Sequence, residues 1–421
     1  MKAIMRDAAE LKDSGIEWIG NIPSSWHIMK ISRLFELIGS GTTPKSTRDE
    51  YYNGTINWLQ SGDINGGYVN FTDKKISKDI CENNTALTIY APPFIVIAMY
   101  GASIGNISIV NIEACTNQAC CVLSFPNEIM NLNYLFYQLK SAKDEMLLSS
   151  RGGTQPNISQ AIIRQMRVAV PSYKEQQYIA NYLDDRCSKI DAIIAEAKAS
   201  IEEYKELKQT VIYEAVTKGL DKNVEMKDSG NIWYGLIPKH WELHKVCWDY
   251  SVELGKMLDQ KRISGKNLRP YLRNADVKWD NINFEDLPEM DFGEDELERY
   301  NVQPGDLMIC EGGEIGKCNI VPQDCPKGIY YQKALHRVRA YKSSVSKYLR
   351  YLIMFLSKSG YINDSAQKAT IFHLPAEKLK ALRIPTPSVK EQTDIATYLD
   401  ARTSDIDNLL KLPTPITGVD P

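Results

Sequence analysis

A chain of 421 residues, 43% apolar and 24% charged, holds enough material for two or three buried cores and lacks the bias of a disordered segment. The net charge of −3 argues at first sight against a nucleic-acid partner, but nine acidic residues and no Lys or Arg fall within 280–298, leaving +6 on the remainder. No stretch approaches the roughly 18 uncharged apolar residues that span a bilayer, and the N-terminal residues lack a signal-peptide centre, so a cytoplasmic location is expected. The nine cysteines carry no CxxC pair, and the one HxxxH pair, His240 and His244, has no Cys or acidic partner in sequence, so no metal is expected.

In chain order, residues 1–171 open with the phrase KDSGIEWIGNIPSSW and continue as short β-type runs such as PFIVIAMY, bounded by Gly, Pro and Asn turns. A helical pattern follows at 132–149. At Pro171 the character changes. The run SYKE forms a capping box in which Ser172 accepts from the amide three residues on and Glu175 reaches back. Beyond it, Ile190, Ile193, Ala197, Ile201, Tyr204, Leu207, Val211 and Ala215 recur at spacings of three and four, predicting a helix over 172–220 that closes near Lys218-Gly219. At about 1.5 Å per residue, the 45 residues from 173 to 217 run for roughly 68 Å. One domain can hardly cover so long a stripe, so much of it is expected to pair with another helix.

Residues 221–387 then repeat the first plan. KDSGNIWYGLIPKHW returns 215 positions after its first copy, YLRNADV matches WLQSGDI at an offset of 213, and GGEIGKCNIV matches GASIGNISIV at 211. Asn117-Gln118-Ala119 aligns with Gln332-Lys333-Ala334. The phrase PSYKEQQYIANYLDDRCSKID at 171–191 comes back as PSVKEQTDIATYLDARTSDID at 387–407, an offset of 216. The second phrase opens a helix over 388–412 carrying Ile395, Leu399, Ile406 and Leu409, after which Pro413 and Pro415 forbid continuation and 413–421 is a tail. One α+β unit has been duplicated with its loops varied, and antiparallel pairing of the two helices would arrange the units with pseudo-twofold symmetry, as a reader of two half-sites requires.

The whole pattern resembles the specificity (S) subunit of Type I restriction-modification systems. It rests on the paired DSG…W phrases, GTTPKS with WLQSGDI, PGDLMICEGGEIG, GTQPNIS, and the paired PSxKEQxxIAxYLD helices. The resemblance implies two tandem-repeated globular target-recognition domains separated by long helices that pair as an antiparallel coiled coil. It further implies double-stranded DNA as ligand, two methyltransferase (M) subunits docked on the helices and, for restriction, two translocase/endonuclease (R) subunits. This chain would hold no cofactor and do no chemistry; S-adenosylmethionine, ATP and Mg²⁺ would serve the partner subunits. The residues agree: Ala91-Pro92-Pro93-Phe94 puts alanine where an amino-methyltransferase needs Asn or Asp, and Gly312–Cys318 has neither the glycine spacing nor the Ser/Thr of a phosphate loop, so both read as turns.

Arg and Lys on phosphates give affinity, while Arg, Asn and Gln at base edges give sequence choice. The candidates in the first unit are Lys45, Arg48, Gln60, Asn65, Arg151, Gln155 and Asn157; in the second they are Lys261, Arg262, Lys266, Arg273, Lys278, Lys368 and Thr370. The sequence departs from the family in its second helix, about half the expected length, which leaves the stripe from Ile201 to Ala215 without a full partner in the chain. A truncated subunit impaired in assembly, a partner subunit or second chain over the bare stripe, and a duplicated protein-interaction scaffold are the alternative readings.

Overall fold

The computed structural model describes residues 10–45, 48–148, 157–257, 265–362 and 373–411. Two compact units meet at residues 193 and 194, inside the 46-residue helix Tyr173–Lys218. The long helix expected over 172–220 is shared between them, with residues 173–193 in the first unit and the remainder in the second.

The first unit is built on a five-stranded sheet in the order Phe35–Gly39, Cys120–Pro126, Phe94–Ala98, Ile107–Val110, Tyr68–Val69. All five residues of Phe94–Ala98 are buried because the strand is central and covered on both faces. Strand periodicity divides them. Ile95 and Ile97, with Cys121 and Leu123, face a core closed by the helix Leu132–Ser141, whereas Phe94, Val96 and Ala98 face a second core with Leu59, Val69 and Tyr90.

The second unit repeats this sheet as Tyr250–Leu254, Leu335–Ala340, Leu307–Cys310 and Cys318–Ile320, with the helix Ser346–Lys358 in the place of Leu132–Ser141. A parallel pair recurs beside each sheet, Ala114–Thr116 with Ile56–Leu59 and Tyr330–Tyr331 with Leu268–Leu272. The two DSG phrases form matching hairpins, Leu11–Asp13 with Asn21–Pro23 and Met226–Asp228 with Leu236–Pro238. The near-motif at 312–316, like its repeat at 101–105, is a turn between adjacent antiparallel strands, while Ala91-Pro92-Pro93 bends directly into the strand Phe94–Ala98.

The repeated polar phrase is explained by what it holds. Gln176 and Gln392, both fully buried, each accept at Oε1 from a backbone amide at the start of the head's helix, Asn131 at 2.8 Å and Val345 at 2.9 Å. Their amide nitrogens donate to Pro171 and Pro387 carbonyls at 3.0 and 2.9 Å, and Gln176 also reaches Ile129. One residue earlier, Glu175 and Glu391 accept from the indoles of Trp26 and Trp241, the last residues of the DSG phrases, at 3.2 and 3.3 Å. Further along, Asp184 accepts from Tyr137 at 2.6 Å and Asp400 from Tyr351 at 2.7 Å. Each head is therefore clasped to its own helix at three equivalent points.

In the second unit the central and C-terminal helices run antiparallel. The Tyr348 hydroxyl lies 3.4 Å from the Val216 carbonyl and 2.9 Å from that of Pro385, while Lys208 pairs with Asp407 at 2.6 Å. Val389–Lys411 spans 23 residues, and it buries Ile395, Leu399 and Ile406. The expected stripe needs a correction in register. Ala215 is buried and Val211 packs against the same core, but the other fully buried apolar positions of the last turns are Ile212 and Val216, set against Trp241, Tyr348, Ile395 and Leu399. Ile190, Ile193, Leu207 and Leu409 keep about half their surface exposed, at 50, 52, 45 and 45%, while Ala197, Ile201 and Tyr204 are partly covered. The physical reason is that the end of the central helix packs on the second head as well as on the C-terminal helix, which turns a wider face inward than a two-helix seam would.

Replacing Gln392 by leucine keeps the volume but strands the Val345 amide and the Pro387 carbonyl, each costing about 1–3 kcal/mol. A urea unfolding midpoint for the second unit that moves down correspondingly is the expected result, with Gln176→Leu doing the same to the first. The clasp also predicts a pH dependence. Burial raises the Glu391 carboxyl, but donors from His240, Ser388 and Trp241 outweigh it and hold it below the ordinary value of 4.5. A carboxyl whose pKa is lower folded than unfolded contributes stability above the unfolded value, lost as pH falls through the folded one. Glu391→Gln should therefore flatten the loss of stability on acidification below about pH 4.5, read as urea midpoints across a pH series.

Candidate DNA-recognition face

The connections at one end of each sheet meet around a single tight turn, Asn117-Gln118-Ala119 in the first head and Gln332-Lys333-Ala334 in the second. In the first, the Asn117 amide donates to Leu59, its carbonyl accepts from Gly41 and Cys120, and the Ala119 carbonyl accepts from Met99. The second repeats three of these bonds, with Gln332 donating to Leu272, Leu335 to Gln332 and Glu311 to Ala334, while in place of the Gly41 bond Lys333 donates to Lys256. Glycine is required beside each turn, since a side chain on Gly41 would overlap the Thr116 carbonyl and one on Gly255 the Gln332 carbonyl. Loops 40–45, 60–67, 99–106 and 157–160 thereby gather around one exposed turn, and loops 255–257, 273–278 and 311–317 around the other.

Several expected contact residues fall on these loops. Lys45, Asn65 and Asn157 are exposed and Gln60 partly so. The Gln60 amide donates to Asp63 at 2.7 Å, and the Asn65 carbonyl oxygen accepts from Gly67, which fixes the loop and leaves its tip outward. Asn106 ties this loop to the next through the Ile64 carbonyl at 3.1 Å. Arg48 is placed differently: its guanidinium donates to the Tyr51 hydroxyl at 2.8 Å and lies near Glu50. In the second head, Lys266 and Lys278 are exposed. Arg273 folds back as a fork onto the buried Asp276 carboxylate at 2.9 and 2.8 Å, which leaves its guanidinium less able to reach a base than an extended arginine. Asn274 reaches across to the Gly312 carbonyl at 2.7 Å. Arg151, Gln155, Lys261, Arg262, Lys368 and Thr370 lie outside the described residues.

Part of the acidic segment is consumed structurally. Asp291 accepts from the amides of Gly265 and Asn267 at 2.9 Å each, and Glu296 pairs with Lys256 and accepts from Gly293. His240 and His244 turn to different carboxylates, Glu391 and Asp249, each at 2.8 Å. Among the described residues no cluster of three or more His, Cys, Asp or Glu could hold a metal, and no helix is long and apolar enough to cross a membrane.

Residues 23–203 and 251–416 match the family described as Type I restriction modification DNA specificity domain. The MjaVIII specificity subunit of Methanocaldococcus jannaschii is 23% identical over 93% of this chain and 88% of its own length. The EcoKI specificity subunit of Escherichia coli K12 is 24% identical over 89% and 82%. Among solved structures, a chain described under complex assembly and conformational transition of the type I R-M system shares the fold with a TM-score of 0.70, at 15% identity and 93% coverage of both chains. The HsdS subunit of Thermoanaerobacter tengcongensis gives 0.57, also at 15% identity, over 92% of this chain and 91% of its own. The chain belongs to the Type I restriction-modification DNA specificity family, with two specificity domains in tandem, and its role is DNA sequence recognition.

Close packing at the two glycines makes the recognition turn testable apart from any exposed side chain. Gly41→Ala or Gly255→Ala forces the adjoining strand away from the turn, and overpacking of this kind costs about 1–3 kcal/mol. Each variant is expected to lower the unfolding midpoint of its own unit, measured by urea titration, and to weaken DNA binding through that head.

Proposed function

We propose that each head reads one half of a bipartite duplex target, with the helices setting the spacing and docking two methyltransferase subunits, joined for restriction by two translocase/endonuclease subunits. In this reading the chain itself is not catalytic. Adenine methylation with S-adenosylmethionine, and restriction with ATP and Mg²⁺, belong to those partners.

The observation that carries the proposal is the recurrence of one backbone arrangement in both heads, with different exposed side chains on it. A structural scaffold has no need to preserve a turn, its glycine neighbour and the connections around it while the exposed residue at the turn changes from Gln118 to Lys333. Two readers of different sequences need that combination, because the rigid part positions and the variable part selects.

Hydroxyl-radical footprinting of the chain with its methyltransferase subunits, on DNA carrying the site they methylate, should give two protected patches separated by an unprotected stretch. Affinity should fall linearly in log–log form with salt, as phosphate contacts require. A single uninterrupted protected site, or binding without sequence choice, would overturn the proposal in favour of an assembly scaffold.

A further inference from the structure

The turn at the centre of each recognition face carries an exposed side chain that differs between heads while its backbone does not. Gln118 stands in the first and Lys333 in the second, both exposed. Three backbone bonds that fix the turn have counterparts in the other copy: Asn117 to Leu59 with Gln332 to Leu272, Cys120 to Asn117 with Leu335 to Gln332, and Met99 to Ala119 with Glu311 to Ala334.

The surroundings of the two side chains differ in step with them. The Gln118 carboxamide oxygen accepts from the Thr43 hydroxyl at 2.7 Å. A carboxamide has two acceptor positions and two donor hydrogens, so the Thr43 bond fixes the oxygen and leaves its second acceptor position and the amide donors unengaged by it. In the second head the strand Leu307–Cys310 leads instead to Glu311, partly buried, whose carboxyl is raised by burial and drawn down by the charges of His373 and Lys333. An amide held by a hydroxyl in one copy gives way in the other to an ammonium, with a partly buried carboxylate on the connection bonded to the same turn.

Resting on the half-site reading above, we infer that Gln118 and Lys333 are equivalent specificity-determining residues, each reading one base pair at the same position of its half-site. A carboxamide held at its oxygen, with an acceptor position and donors still available, matches adenine, whose N7 accepts and N6 donates. An ammonium matches the two acceptors of guanine, O6 and N7. Gln118 therefore selects an A·T pair and Lys333 a G·C pair. Thr43 is a positioning residue for Gln118.

Selection from randomised duplexes, using the full chain assembled with its methyltransferase subunits, tests this. The variants are Gln118→Lys, Lys333→Gln and Thr43→Ala, with thermal melting to confirm folding. Gln118→Lys should move the preference at one base pair of one half-site from A·T to G·C by about tenfold, leaving the other half-site unchanged. Lys333→Gln should produce the reverse change in the other half. Thr43→Ala should relax the Gln118 position alone, which keeps the assignment testable if a charge at 118 disturbs folding. A weakening uniform across all sequences, or an unaltered selection, would overturn the inference and leave the half-site reading standing. Failure of the unaltered protein to select any sequence would overturn both.

Discussion

Each head is held to its helix by a buried glutamine, and the rest of the arrangement depends on that constraint. A carboxamide taken fully out of water is tolerable only when its donors and acceptor are satisfied. Gln176 and Gln392 meet this by bridging the amide that opens the head's helix and the carbonyl of the proline that precedes their own. The bond partners are backbone groups on two elements at once, so neither element can shift or turn without leaving a polar group stranded. Glutamate one residue before and aspartate eight residues after add a second and a third attachment, to a tryptophan and a tyrosine. The fourth residue of each helix thus fixes the frame from which the recognition loops project.

The two clasps are not identical, and the differences are local. His240 joins Trp241 on Glu391, where the first copy has Ser25 before Trp26. Thr403 approaches the Tyr351 hydroxyl at 3.3 Å and Lys347 pairs with the free oxygen of Asp400, whereas Cys187 stands at the position equivalent to Thr403 and Tyr68 comes within 3.5 Å of Asp184. Substitutions involving the exposed His240, Lys347 and Tyr68 are compatible with an unchanged glutamine centre because those groups are solvated, and a polar partner lost there is replaced by water.

Much of this was legible in the sequence because it depends on covalent and local rules. The capping serine before each helix, the glycine after the first and the prolines after the second placed the two helices close to their observed bounds, and short β-type runs such as PFIVIAMY predicted strands. Duplication was legible as a fixed offset. The purpose of the repeated phrase was not, since Glu, Gln and Asp in a helical pattern look like a solvated face until tertiary structure brings Trp26, Asn131 and Tyr137 against them. Gln118 was equally hidden: a polar residue in a turn is ordinary, and its significance lies in the coincidence of Leu59, Gly41 and Met99, three strands distant in sequence, around its backbone.

The register of the central helix shows where periodicity stops informing. Apolar residues at spacings of three and four identify a face, and a 46-residue helix with such a face must cover it. Spacing does not say with what. In the last two turns the covering comes from the aromatic core of the second head, Tyr234, Trp241 and Tyr348, together with Ile395 and Leu399, so Ile212 and Val216 are drawn inward alongside Ala215. One turn earlier the same helix meets the C-terminal helix through Lys208 and Asp407, an ion pair rather than an apolar contact, and Leu207 beside it keeps 45% of its surface. A seam that begins in a head's core and passes into a charged crossing is wide at one end and narrow at the other. Its heptad positions therefore cannot all be equivalent, and no single set of a and d residues describes it.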